Sequence, residues 1–318
     1  MEPLTPVIVS ASRATDLPAF YGEWFLRRLR AGSCVWVNRF NGQRQRISLE
    51  RTRAIVFWSK NPAPLIPRLG EIDALGINYY FTLTLNDYAR EGLEPGIPPL
   101  AERIETFLRL SERVGRERVV WRFDPIIVGK HLTPKVLLDR IARVGAAVHR
   151  HTCKLVISFA DIERYPAARR RLGACGGIQE PGDEAVQQVA AGISELNRAW
   201  GLEVATCAES IDLAGFGIGR NRCVDDELLA RAFPADAPLM DFLGRGAGRG
   251  RLHVGGAAGG AAQSLKDKGQ RAACGCIVSK DIGRYGTCPY GCAYCYANVS
   301  HTAAAAASAR HDPDAESL

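Results

Sequence analysis

The residues best suited to chemistry lie near the end of the chain, in Cys288-Pro289-Tyr290-Gly291-Cys292-Ala293-Tyr294-Cys295. These cysteines are spaced i, i+4 and i+7, and Pro289 and Gly291 keep the backbone between them out of a regular helix. A loop of this length can wrap its thiolates around one soft metal centre. Three thiolates on a four-iron (4Fe–4S) cluster leave one iron without a protein ligand, free to bind a small molecule. The same residues also suit a structural zinc knuckle, in which Cys292 and Cys295 join Cys274 and Cys276.

Four cysteines form a second candidate set. Cys207 ends an apolar run, Cys223 lies in a loop region beyond it, and Cys274-Gly275-Cys276 leads into the 288–295 loop. Thiolates from three segments can close an all-cysteine site, either a second 4Fe–4S cluster with no open iron or a zinc site. Such a site would staple the C-terminal segment to the rest of the chain. Cys34 and Cys153 read as small buried hydrophobes.

The elements that must position these groups alternate. Residues 7–10, 54–58, 79–85, 119–123, 154–159 and 203–207 are apolar runs of strand length. Helical patterns cover about 18–29, 65–75, 100–114, 134–149 and 184–200. Residues 35–40 and 45–49 flank Asn41-Gly42 and read as a hairpin. The βα alternation predicts an α/β fold with a parallel sheet, as a complete or partial TIM-like (β/α) barrel. The expected organisation is a barrel domain over 1–235 and a Gly/Ala/Arg-rich linker over 236–270. A cysteine-rich segment over 271–300 docks back on the barrel, and a disordered tail covers 301–318.

Composition narrows the class. At 318 residues the chain can bury a substantial core, and a net charge of +7 permits an anionic partner without requiring one. Ten cysteines are too sparse for a disulfide scaffold, and their metal-ligand spacing points to a reducing compartment. Residues 1–20 lack the basic start and apolar core of a signal peptide, and no run is apolar for long enough to span a bilayer. A soluble cytoplasmic protein with no membrane partner is expected.

Each apolar run ends in groups able to bind or react. These are Ser10 and Arg13, with Asp16 just beyond; Ser59, Lys60 and Asn61; Thr84 and Asn86; Arg122 and Asp124; Ser158 and Asp161; and Thr206, Cys207 and Glu209. In a parallel barrel these ends share one face, where active sites are built. Strand ends are often polar merely because loops are wet, but a complete ring of such groups is harder to explain that way.

The cysteine spacing, with Tyr294 just before the last cysteine, resembles the cluster loop of the radical S-adenosylmethionine (SAM) enzymes. In that family SAM chelates the open iron through its amino and carboxylate groups, and the reduced cluster breaks the sulfonium's bond to C5′. Phe81-Thr82-Leu83-Thr84, Glu94-Pro95-Gly96-Ile97-Pro98-Pro99, Glu102-Arg103-Ile104 and Pro125-Ile126-Ile127 are similar to the middle of the spore photoproduct lyase-like branch. Trp58-Ser59-Lys60-Asn61-Pro62 resembles the end of that branch's second strand. As a whole the chain resembles the bacterial proteins grouped as domain of unknown function 1848. The matching pieces include Ser10-Ala11-Ser12-Arg13-Ala14-Thr15-Asp16, Val120-Trp121-Arg122-Phe123-Asp124-Pro125, Cys207-Ala208-Glu209 and Cys223-Val224-Asp225.

The resemblance implies a radical SAM-type enzyme that binds SAM and a 4Fe–4S cluster on Cys288, Cys292 and Cys295. It also implies an electron donor such as ferredoxin or flavodoxin, and a substrate for which nucleic acid is one candidate. Arg13, Asp16, Lys60, Arg122, Asp124 and Glu209 are the candidates for holding SAM or substrate, with Ser59, Asn61, Thr84 and Tyr294 at the cofactor. One departure stands out. In that superfamily the loop follows the first barrel strand, whereas here it comes after every run read as a strand, so a circular permutation is expected. Two readings stand beside this one: a zinc-stabilised binding module, for nucleic acid among other partners and without redox chemistry, and a metal-independent barrel hydrolase using the strand-end carboxylates.

Overall fold

The computed structural model describes residues 2–246 and 265–318. Its strands in chain order are β1 (Ile8–Ala11), β2 (Ser33–Val37), β3 (Arg44–Ser48), β4 (Ala54–Ser59), β5 (Asn78–Thr84), β6 (Val119–Ile126), β7 (Val128–Gly129), β8 (Lys154–Phe159), β9 (Ile178–Gln179), β10 (Glu203–Thr206), β11 (Gly219–Arg220) and β12 (Lys280–Asp281). Eight of them form one sheet in the order β11-β10-β8-β6-β5-β4-β1-β12. Every pairing in it is parallel.

Parallel neighbours need long crossovers, and helices supply them. The helices are α1 (Leu17–Phe20), α2 (Gly22–Arg30), α3 (Leu69–Ala74), α4 (Leu100–Val114), α5 (Pro134–Val148), α6 (Pro166–Ala174), α7 (Asp183–Trp200), α8 (Asp226–Ala232), α9 (Ala237–Phe242) and α10 (His301–Ala309). None among the described residues is long and apolar enough to cross a membrane.

Side chains alternate along a strand, and here both faces are buried, which is why the strands read as nearly unbroken apolar runs. Val9, Ile55, Phe57, Phe81, Trp121 and Ile157 join the core that includes residues of α2 to α7. The intervening Ile8, Val56, Tyr80, Val120 and Val156 pack instead with Leu228 and Leu229 of α8, Leu239 of α9, and Cys274, Cys276 and Ile277. Polar groups lock this second face. Tyr80 donates its hydroxyl to Cys223 O at 2.5 Å and accepts from Asp225 N at 3.1 Å, while Lys154 Nζ reaches Asp225 Oδ2 at 2.9 Å.

No ladder joins the edge strands β11 and β12 among the described residues. The chain beyond β11 and the chain before β12 nevertheless meet, with Ile277 N donating to Val224 O at 3.1 Å.

The structure departs from the sequence expectations at four places. The helix expected over 18–29 breaks at Tyr21, which leaves helical geometry (φ −127°, ψ 21°) and donates its hydroxyl to Thr287 O at 2.6 Å. The hairpin strands β2 and β3 lie earlier than expected. Asn41-Gly42 is part of a longer loop in which the Asn38 and Asn41 side chains accept from Phe40 N and Gln43 N. In the region expected as a linker, residues 237–242 form α9, while 247–264 lie outside the described residues.

The fourth correction concerns the tail, which is not disordered. Its alanines form α10 behind a Ser300 cap, and the acidic stretch docks beside α2 and β2. Trp24 Nε1 donates to Ala315 O at 2.8 Å, and Val35 N to Glu316 O at 2.8 Å. Composition judged this segment without the neighbours that receive it.

Candidate functional site

The cysteine loop leaves the C-terminal end of β12. Lys280 pairs with Val9 and Asp281 with Ser10, so the last strand of the sheet in sequence lies beside the first. Asp281 accepts from Ser10 Oγ at 2.7 Å, Arg13 N at 2.8 Å and Gly283 N at 2.9 Å. The loop therefore comes after all the strands, as expected, but the last of them, β12, is one that the sequence did not reveal. Two polar residues gave no strand signal in the sequence.

Further contacts fix the loop backbone. Ala293 N donates to Leu93 O at 2.9 Å and Gly96 N to Tyr290 O at 3.0 Å. A Cβ on Gly96 would stand 2.7 Å from Tyr290 O, so only glycine admits this approach. Gly291 takes φ +71°, the left-handed turn its place in the loop demands. Asn298 Nδ2 donates to Cys288 O at 2.6 Å. Arg171 of α6 clamps the far side, donating to Ala293 O at 2.9 Å, to Asn298 O at 3.0 Å and to Cys295 O. Arg171 is a residue of the candidate site that the sequence did not reveal, since nothing in the pattern of α6 marks it.

The three thiols are enclosed together. Burial pushes Cys288 up to about 12, with backbone N–H groups of Tyr290 and Asp16 opposing it. Burial likewise raises Cys292 and Cys295, opposed at Cys295 by the backbone of Ala297 and Asn298 and by the cations Arg171 and Lys60. Thiols so placed resist losing their protons.

Beside them is a charged lock. Lys60 Nζ stands 2.9 Å from Glu94 Oε1, which also accepts from the Tyr294 hydroxyl. Burial opposes the charge on Glu94, but Lys60, Arg103 and Tyr294 hold its carboxyl below the usual range. Glu94 Oε2 is buried without a hydrogen-bond partner. In the sequence Glu94 stands only within a run similar to the spore photoproduct lyase-like branch, with no role of its own assigned to it.

Several predicted site residues hold this arrangement. Asp16 accepts from Ser59 Oγ at 2.7 Å, Lys60 N at 2.6 Å and Ala19 N at 3.1 Å, and burial raises its carboxyl to about 6. Asn61 Oδ1 accepts from Ala63 N at 3.2 Å. These residues shape the end of β4 next to the cysteine loop. Thr84, half-buried, pairs with Arg122 across the β5–β6 ladder.

The remaining predicted residues gather around the second cysteine set. Arg122 Nη1 donates to Cys223 Sγ at 3.0 Å and its Nε to Asp124 Oδ2 at 3.0 Å, while Ser158 Oγ donates to Asp124. Glu209 accepts from Phe159 N at 2.8 Å. Burial, with Asp161 and Asp124 nearby, raises its carboxyl to about 7. Ala208 has φ +58°, a conformation disfavoured by its Cβ. Arg13 lies over the Trp58 ring at 4.7 Å, and its Nη2 is buried without a partner.

Cys207 Sγ and Cys223 Sγ are 3.4 Å apart, and Cys276 Sγ accepts from Cys223 N at 3.2 Å and Val224 N at 3.4 Å. Cys274 and Cys276 are buried in the same cluster as Cys223, within electrostatic reach of its sulfur. As they stand, no three His, Cys, Asp or Glu side chains among the described residues form a ready-made metal-ligand group.

The all-parallel sheet and the cysteine segments gathered at its strand ends define an α/β protein with a cysteine-rich mouth. Residues 8–297 match the family described as "Domain of unknown function (DUF1848)", and the chain belongs to that family. No curated protein matches it significantly. Among solved structures, a match is a Bacteroides thetaiotaomicron protein provisionally named an alpha-L-fucosidase. It is 10% identical with a TM-score of 0.23, and the match covers 51% of this chain and 64% of that one, less than two thirds of its length.

Proposed function

We propose that the protein is a radical SAM-type iron–sulfur enzyme on a partial parallel (β/α) barrel, with its cluster loop permuted to the C-terminal part of the chain. One observation carries the reading. Cys288, Cys292 and Cys295 follow β12, the parallel neighbour of β1 at the edge of the sheet. In the enzymes this loop resembles, the loop follows the first strand, with the others laid down beside it. Here the strand that bears the loop is made last yet occupies that first place.

The donor set fits a cluster. Three thiols share one loop, and nearby backbone N–H groups at Cys288 and Cys295, with Lys60 and Arg171, offset negative charge on the sulfurs. When bound and reduced, a 4Fe–4S cluster supplies the electron that cleaves the sulfonium of SAM.

The protein's own residues hold and shield. Lys60 and Tyr294 fix Glu94, whose free Oε2 is an acceptor for a cationic ligand group. Asp16, Ser59 and Asn61 keep the end of β4 in place beneath the loop, and Arg13, Arg122, Asp124 and Glu209 are assigned to the substrate side. All ten cysteines are free thiols, which suits a reducing, cytoplasmic setting and a donor of the ferredoxin or flavodoxin class.

The test is product release. Anaerobically reconstituted, reduced protein given SAM should yield 5′-deoxyadenosine. Single Cys→Ala changes at 288, 292 or 295 should remove iron, sulfide and product together. A chain that takes up no iron, or a fully loaded one that releases no 5′-deoxyadenosine, overturns the reading.

A further inference from the structure

The open seam of the sheet is where the other four cysteines meet. Cys207 directly follows β10 and Cys223 lies just past β11, at one edge; Cys274 and Cys276 precede β12, at the other. Backbone bonds already cross this seam, from Cys223 N and Val224 N to Cys276 Sγ and from Ile277 N to Val224 O. We infer that Cys207, Cys223, Cys274 and Cys276 bind one zinc ion, which joins the two edges of the sheet by coordination where no ladder does.

Sulfur spacing favours a single ion over a cluster. Tetrahedral zinc with Zn–S bonds of about 2.3 Å holds its sulfurs about 3.8 Å apart. Cys207 and Cys223 are within a few tenths of that at 3.4 Å, and Cys274 and Cys276 are buried in the same cluster as Cys223, with Cys276 Sγ accepting from Cys223 N at 3.2 Å. A four-iron cluster would spread its thiolates around an iron–sulfide cube, well beyond sulfur–sulfur contact. Binding requires the four side chains to converge on one point, since as they stand no three of them form a ready-made ligand group. All-thiolate donors select a soft ion, and zinc binds such a site ahead of ferrous iron.

The surroundings match the charge of such a centre. Four thiolates on one divalent ion carry two net negative charges, which need buried compensation. Arg122 Nη1 is already 3.0 Å from Cys223 Sγ. Arg13, whose Nη2 has no hydrogen-bond partner, lies within electrostatic reach of Cys276 and Cys223. Asn221 Nδ2 donates to Cys223 Sγ at 3.1 Å, so the ligand sulfurs have fixed donors as well as cations. The inference does not rest on the cluster reading, because it uses none of Cys288, Cys292 and Cys295.

The test uses the full-length chain with those three cysteines replaced by Ala, purified anaerobically. Metal analysis should find one zinc per chain, and X-ray absorption at the zinc edge should show four sulfurs at about 2.3 Å. Iron in that variant, or no metal, overturns the inference. Should the triple variant fail to fold, the zinc edge of the wild-type chain decides: absent zinc, or zinc bound through nitrogen or oxygen, sinks it. Cys276→Ser should cut zinc content at least tenfold while leaving the iron of the 288–295 loop. Failure of the cluster reading would remove iron but not zinc, so the two failures are distinguishable.

Discussion

Ser10 Oγ donates to Asp281 Oδ2 at 2.7 Å across a parallel ladder, although the two residues are 271 positions apart in the chain. The same carboxylate accepts the backbone N–H groups of Arg13 and Gly283. One side chain thus ties the turn leaving the first strand to the entrance of the cysteine loop. The geometry of the candidate cluster site is set by how closely that loop fits the strand ends around it.

Gly96→Ala tests that fit directly. The added Cβ would stand 2.7 Å from Tyr290 O, and the atom it meets is backbone, which cannot swing aside. Iron bound at the loop should fall at least severalfold, while circular dichroism and the urea midpoint of the sheet change little. Undiminished iron loading would show that the loop tolerates displacement from Glu94-Pro95-Gly96.

Tyr80→Phe tests the lock on the second face of the sheet. The ring remains, but Cys223 O loses a donor and Asp225 N an acceptor, both buried. A buried group left unsatisfied costs about 1–3 kcal/mol, so the variant should unfold at lower urea with an unchanged m-value. An unaltered midpoint would mean that water replaces the hydroxyl.

Asp236 makes acid stability a third test. It caps α9 through Leu239 N at 2.9 Å and accepts from Arg53 Nη2 at 2.7 Å and Asn78 Nδ2 at 2.5 Å. Burial opposes its charge, but Arg53 and the cap prevail and hold the carboxyl below its ordinary value of 3.8. A carboxyl lowered in the folded state stabilises it fully above the unfolded value, and that contribution is lost as pH falls through the folded one. Asp236→Asn should therefore flatten the loss of stability in urea melts taken stepwise into the acid range. Arg53 is 36% exposed, so the ion pair is discounted, and Asp236→Ala at neutral pH should cost about 1–2 kcal/mol, mostly through the cap. An acid limb identical in wild type and Asp236→Asn would assign the effect to other groups.

Several features were legible because their signals are local. The runs at 54–58, 79–85 and 154–159 are mostly apolar because both faces of those strands are covered, so they announced a parallel sheet without reference to any partner. The spacing of Cys288, Cys292 and Cys295 is likewise a property of eight consecutive residues. The polar strand ends could be named from sequence, but their work could not. Asp16 and Asn61 hold turns at the end of β4, and Glu94, to which no role was assigned from sequence, is the buried anion beside Lys60.

By itself, then, the sequence determined the α/β alternation, the sheet's parallel character and the cysteine sets, since each follows from periodicity or spacing along the chain. Tertiary structure alone decided that Lys280 and Asp281 form a strand, because two polar residues become one only when Val9 and Ser10 offer their unpaired edge. It also decided that the alanine-rich tail is ordered, through the donors at Trp24 and Val35. The meeting of Cys207 and Cys223 with Cys274 and Cys276 has the same origin. Contacts between residues far apart in sequence leave no periodic trace, and they appear only when the chain's two ends close on one another.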